Sequence, residues 1–432
     1  MTLARYILSL CLILCCVGPA SGDEVDSDPA LHSGYGRELM LRGEYEKGLD
    51  QLRRAYLLFP LNEVLKRNLA EGYAAYGHQY FKQRKYEQAD ESFVKAMELY
   101  PEEVGYALLR GICNYNLKKY DVARYELERA HQKQPETVEI LYYLGLVQYE
   151  TDNRQQAIEL WEFGHKLAPE RVEFEELLTK ARKEMTVEAD MDRGHSSRFD
   201  LTYDAGVNAV FALAVLDVLE SAANQVGAEL GFFPVNRVPV AIYTRADFKI
   251  VTDSPEWSGG VYDGIIRLPF GAMAEITPQM RAVLFHEYAH VVIFEMTRGN
   301  CPLWLNEGIA EMFARMQHNG PLVELGRAAR KNAFLDFRKM ESGFNGLSTP
   351  EASLAYQQSY AMVNFLVTTY GWHRITAILT NLGSGMSIDE AVVQVFQDYS
   401  VSYDTLNLEW RRYMAQSVAQ MPLHKAADGA HD

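Results

Sequence analysis

Cysteine is scarce. Of the five in this 432-residue chain, Cys11, Cys15 and Cys16 fall within the first sixteen positions. Only Cys113 and Cys301 remain beyond them, and neither has a cysteine or histidine close by at metal-ligand spacing, so a cysteine-based metal site is excluded. An exported chain could pair the two; two buried free thiols is the simpler expectation. Positive charge is also in short supply. Lys and Arg total 42 against 58 Asp and Glu, a formal charge of -16. That argues against a nucleic-acid partner, which needs a basic surface, and it disfavours anionic membranes while keeping the chain soluble. Long apolar runs are missing too: past the N-terminus no segment reads as a membrane span.

The N-terminus itself is apolar. Arg5 precedes the run Tyr6–Val17, and Ala20-Ser21-Gly22 supplies small residues before an acidic stretch beginning at Asp23. This is the pattern of a signal peptide over residues 1–22, with cleavage near Gly22. The run is short for a spanning helix, and an uncleaved anchor is the alternative. The expected location is therefore exported, periplasmic or secreted. The length suggests two or three domains.

Residues 29–183 repeat. Prolines stand at 60, 101, 135 and 169, so the last three are each 34 residues apart. Twelve positions before each proline sit Gly48, Ala89, Ala123 and Ala157; five before sit Ala55, Ala96, Ala130 and Gly164; twenty-four before sit Gly36, Gly77, Gly111 and Gly145. Small residues at fixed points let paired antiparallel helices approach, and each proline ends the second helix by lacking an N–H. The pattern resembles the tetratricopeptide repeat (TPR), with about four units. The resemblance implies a right-handed superhelix whose concave face binds a peptide or protein partner. The segment from about Arg171 to Met185 reads as a closing helix. Residues 184–197 are charged, lack apolar periodicity and read as a linker.

From residue 198 to about 420 the pattern is mixed. Phe199–Tyr203 and Val238–Tyr243 read as strands, the second carrying a proline that favours an edge or a strand start. Ala205–Val226 reads as a long apolar helix, Trp257–Pro269 as two short strand-like pieces, and helices follow. Strands first and helices later is an α+β signature. Residues 421–432 read as a flexible tail.

The chemistry lies in Thr277–Met296, one apolar helix capped by Thr277. His286 and His290 are four apart and share a face, with Glu287 directed beside them. Two neutral imidazoles so placed bind zinc, and the glutamate acts on the metal-bound water. A second helix, Leu303–Met316, carries Glu307 and Glu311 on one face, Glu307 lying 17 residues after His290. One carboxylate from it would complete a His, His, Glu set for one zinc per chain, with Glu311 placed to orient a ligand histidine.

His286-Glu287-x-x-His290 followed by Asn306-Glu307-Gly308-x-Ala310-Glu311 resembles the gluzincin metallopeptidases, in particular the peptidase MA-like group. The resemblance implies an α+β metallopeptidase domain, zinc on His286, His290 and Glu307, Glu287 as general base, and Glu311 behind the ligands. It also implies that Gly260, Val261 and Tyr262 lie on the strand edge that pairs with extended substrate. The segment Tyr356-Gln357-Gln358-Ser359-Tyr360 is similar to the one whose tyrosine stabilises the oxyanion, making Tyr356 the first candidate and Tyr360 the reserve. No Gly-x-Met-Glu-Asn element is present, which argues against an aminopeptidase. The expected function is peptide hydrolysis, with the repeats recruiting substrate or partner. The alternative is a TPR adaptor or assembly factor carrying a silent peptidase-like domain.

Overall fold

The computed structural model describes residues 28–420, apart from 205, 253–258, 272 and 345–346. Residues 1–22, read as a signal peptide, and residues 421–432, read as a tail, lie outside the described residues. The chain forms two compact units: one holds 29–82 and 86–134, the other 135 onwards together with 83–85.

The first unit is three helical hairpins: α1 (Pro29–Leu41) with α2 (Tyr45–Leu58), α3 (Glu63–Lys82) with α4 (Tyr86–Leu99), and α5 (Val104–Asn116) with α6 (Tyr120–Lys133). The periodic small residues sit where the helices cross. A Cβ on Gly77 would lie 2.8 Å from the Phe93 ring, and one on Gly111 would lie 2.6 Å from Leu127. In every unit the facing residue is sixteen positions on, as with Gly36 and Leu52 or Gly145 and Trp161. The repeat holds a further position that composition hid. Gly43, Arg84, Lys118 and Asp152 each stand seventeen before a repeat proline, and each adopts positive φ (79°, 57°, 55° and 61°). Only the first is glycine, so the left-handed turn between paired helices is invisible to residue type in the other three.

The second unit begins with the fourth hairpin, α7 (Val138–Glu150) and α8 (Arg154–Leu167), and the closing helix α9 (Val172–Glu188). Strands β1 (Asp192–His195) and β2 (Phe199–Tyr203), helix α10 (Ala209–Leu230), β3 (Val238–Ile242), α11 (Arg245–Thr252), β4 (Val261–Tyr262) and β5 (Ile266–Leu268) follow. The sheet order is β1-β2-β3-β5-β4, with β2, β3 and β5 parallel and an antiparallel strand at each end. Helices α12 (Pro278–Thr297), α13 (Leu303–Gln317), α14 (Val323–Lys331), α15 (Thr349–Tyr370), α16 (Trp372–Gly383), α17 (Ile388–Val395) and α18 (Tyr403–Gln420) complete it.

The structure narrows or corrects three expectations. Of edge and strand start, Pro239 takes the strand start: it is the second residue of β3, a central strand. It is tolerated because the Val238 N–H faces β2, donating to the Arg198 carbonyl at 2.8 Å, so the next nitrogen faces β5. Pairing with β5 starts only at Val240, leaving the missing N–H outside the ladder. Secondly, α10 is long and apolar enough to cross a membrane by length and composition. Here it is a core helix, burying Phe211, Val215, Leu219, Ala222 and Val226 in the same cluster as Leu201, Val240, Ile266 and Leu268.

The third correction concerns residues 184–197. They are not a solvated linker: α9 runs to Glu188, and β1 pairs with β2. The charge that reads as solvated is a buried ion network on the sheet face opposite α10. Arg267 of β5 is fully buried, with its guanidinium 2.6 Å from Glu184, 3.4 Å from Glu188 and 3.0 Å from Asp263. It also donates to the Tyr243 hydroxyl at 2.6 Å. Lys180 holds the other Asp263 oxygen at 2.7 Å. Burial opposes the charge on Arg267, but Tyr243, Asp263 and Glu184 outweigh it and raise its pKa.

Helices α13 and α15 cross at Gly308, beside Glu307, where a Cβ would overlap the Ser359 carbonyl. Neither backbone can yield without moving its helix. Gly308→Ala is therefore expected to destabilise the unit by about 1–3 kcal/mol, the usual cost of overpacking, read as a lower denaturation midpoint.

Candidate metal centre

Helix α12 is anchored at its start by Thr277, whose hydroxyl accepts from the Met280 N–H at 3.1 Å. It is buried through Leu284, Phe285, Ala289, Val292 and Ile293. Its remaining face carries His286 and His290 one turn apart, their Nε2 atoms 3.0 Å from each other. From α13, Glu307 brings Oε2 to 3.4 Å from His286 Nε2 and 3.5 Å from His290 Nε2. Among the described residues this trio is the group able to hold a metal ion.

The trio fits a small divalent cation. Zinc–nitrogen and zinc–oxygen bonds of about 2.0–2.1 Å in a tetrahedron put neighbouring ligand atoms about 3.3–3.4 Å apart, which is the scale seen. Glu307 Oε2 is buried with no hydrogen-bond partner among the described residues, a costly state unless a cation meets it. His290 Nδ1 lies 2.9 Å from Asn306 Oδ1. An amide oxygen only accepts, so that nitrogen carries the proton and Nε2 is left with its lone pair toward the site. Burial pushes Glu307 up, yet the His290 and His286 imidazoles outweigh it and leave its pKa lowered. For His286, burial disfavours the charged ring, but the close Glu307 carboxylate and the charges of Glu287 and Glu311 raise it to about 9. A bound cation would take the place of that proton.

Asn306 is the orienting residue that sequence reasoning passed over, although it stood in the quoted motif immediately before the ligand. Glu311 falls short of the role expected for it. Its Oε1 is 3.9 Å from His286 Nδ1, beyond hydrogen-bond reach, and its other oxygen pairs with Arg315 at 3.2 Å.

Glu287 is buried, and burial raises its pKa above the ordinary carboxylate value. It lies against Gly260: a Cβ there would come within 2.9 Å of both Cγ and Oε1 of the glutamate. Gly260 leads into β4, the last strand of the sheet. The expected edge of Gly260, Val261 and Tyr262 is thus brought beside Glu287. Tyr262 packs edge-on against Phe294, 6.2 Å between ring centres and one turn past His290 on α12, while Val261 packs on the opposite side of the sheet with Ala241 and Phe248.

Tyr356 and Tyr360 are separated by the structure. Burial first, then the charges of Glu307, Glu287 and Glu311, raise the Tyr356 hydroxyl well above its ordinary pKa, which places it in the field of the site. Its ring meets Phe344 edge-on at 5.3 Å. Tyr360, one turn on, lies under the Arg315 guanidinium at 4.6 Å and is tied to Glu311 through it. Cys113 and Cys301 are free thiols whose pKa values burial raises.

Residues 220–416 match the model of the Peptidase MA superfamily. No curated protein is significantly similar to this chain. Several solved TPR structures resemble it weakly. The first TPR of Spaghetti (RPAP3), bound to an HSP90 peptide, is 23% identical, with 27% of this chain and 93% of that chain covered and a TM-score of 0.27. MamA from Desulfovibrio magneticus RS-1 is 20% identical (37% and 85% covered, TM-score 0.30). YrrB, a TPR protein with an unusual peptide-binding site, is 15% identical (38% and 81% covered, TM-score 0.32). At such scores the repeat assignment rests on the chain's own period. The chain thus carries helical repeats of the TPR pattern followed by a region, residues 220–416, that matches the Peptidase MA superfamily model.

Proposed function

We propose that this protein is an exported, zinc-dependent peptidase whose helical repeats recruit its protein substrate or a partner. The observation that carries the reading is the convergence of His286, His290 and Glu307 at 3.0–3.5 Å beside a buried Glu287. His286, His290 and Glu307 would hold the zinc, which when bound supplies Lewis-acid polarisation of a carbonyl and of water. Asn306 keeps His290 in the ligand tautomer. The β4 edge aligns an extended peptide through main-chain hydrogen bonds, beginning at Gly260, where the absence of a side chain lets the peptide and Glu287 approach. Glu287 takes a proton from the attacking water and passes it to the leaving amine. Tyr356 donates to the developing oxyanion; its raised pKa keeps that proton in place at neutral pH.

Metal analysis tests the reading. The native chain is expected to carry about one zinc, and His286→Ala and Glu307→Ala are each expected to lose it while keeping their circular-dichroism spectra. A native chain that takes up no metal when zinc is offered would leave a folded platform without hydrolytic chemistry, and the adaptor reading would replace this one.

A further inference from the structure

We infer that the end of the first helical unit at the α2–α3 turn is a lipid-contacting surface that seats the protein on a bilayer. That end carries an exposed apolar tip. Leu57, Leu58, Phe59, Leu61 and Val64 cluster at the turn from α2 to α3, with Leu61 90% and Val64 65% exposed. Residues 55–62 carry no charge, while Arg53, Arg54, Lys66 and Arg67 flank them against the single acid Glu63. An uncharged apolar and aromatic tip with basic flanks is the arrangement that suits a membrane interface, where rings and alkyl chains enter and long cationic side chains reach the headgroups.

The position of the tip is the second argument. His32 near the start of α1 bonds Gln51 of α2 at 2.7 Å, and Ser33 accepts from Asn68 of α3 at 2.8 Å. The start of α1, the end of α2 and the start of α3 therefore lie together, and the chain enters the fold at this tip. In sequence, ten residues (18–27) separate the apolar run Tyr6–Val17 from Asp28. Fully extended, they reach at most about 33–36 Å. A bilayer engaged by that run during export or as an anchor is within reach of this end of the unit, and a weak second contact adds to the first. Arg54 is partly neutralised by Asp50 at 3.0 Å, and residues 23–28 include four acids. The contact is accordingly apolar insertion, with no requirement for anionic lipid.

The test uses the chain beginning at Asp23, which lacks the apolar run and retains every described residue. It is mixed with phosphatidylcholine vesicles and floated. Co-flotation is expected, and a Phe59→Ser, Leu61→Ser double variant should reduce the bound fraction about tenfold or more, with unchanged thermal unfolding because both side chains are already exposed. A native chain that stays with the soluble fraction, or a double variant that floats equally well, overturns the inference. Concentration-dependent dimerisation without flotation, lost in the double variant, also overturns it and assigns the tip to a second copy of the chain.

Discussion

Glu287→Gln is expected to bind zinc as the native chain does and to hydrolyse peptides about 10² to 10⁴ times more slowly, the range lost when a general base is removed. The substitution keeps shape and hydrogen-bonding reach but removes the atom that can accept a proton. None of the three ligand side chains is altered, so metal content should not change. Folding should not suffer either. The native carboxylate is buried and its pKa is raised by that burial, so a neutral amide relieves a desolvation cost. Gly260 already leaves room for a side chain of this size. Hydrolysis of an unfolded protein such as casein, measured beside zinc content on the same preparations, decides the matter. Turnover retained in the zinc-loaded variant would remove Glu287 from the reaction.

Glu184→Ala is expected to destabilise the second unit by about 3–5 kcal/mol, because truncating one member of a buried ion pair leaves its partner charged and unpaired. Glu184 and Arg267 are both fully buried, 2.6 Å apart, and Tyr149 also donates to Glu184. The lower end of the range is the closer expectation, since Asp263 at 3.0 Å and Glu188 at 3.4 Å remain on the guanidinium. A solvated linker glutamate would change stability by less than about 0.5 kcal/mol. Urea unfolding midpoints separate the two.

Much of this protein is legible without coordinates. The repeat is readable because helix crossings demand a small residue: Gly77 must clear the Phe93 ring and Gly111 must clear Leu127. The candidate metal site is readable because His286 and His290 lie on one helix turn and Glu307 follows on the next helix. Such local geometry is dictated by a period of 3.6 residues, so its chemistry can be inferred from spacing.

Other features depend on neighbours far apart in the chain. The left-handed turns at Arg84, Lys118 and Asp152 use ordinary residues, so their φ values come from the packing of the paired helices. Pro239 could be assigned to the central strand only once the register showed that its nitrogen faces β5 before pairing begins. Asn306, not Glu311, meets a histidine of the candidate site, His290, because that depends on which side chain of α13 meets α12 within 3 Å, a matter of helix rotation and not of spacing.

Local periodicity therefore decided the repeats, the helix that bears the histidines and the one-turn spacing of His286 and His290; the resemblance, not spacing, singled out Glu307 over Glu311. Tertiary structure alone decided that the fourth hairpin belongs to the second unit and that the stretch after the repeats is built into the sheet. Charged residues look alike in sequence whether they meet water or each other. The distinction at Glu184 and Glu188 rests on Arg267, about eighty residues away, which turns a stretch with the composition of a linker into a buried seam.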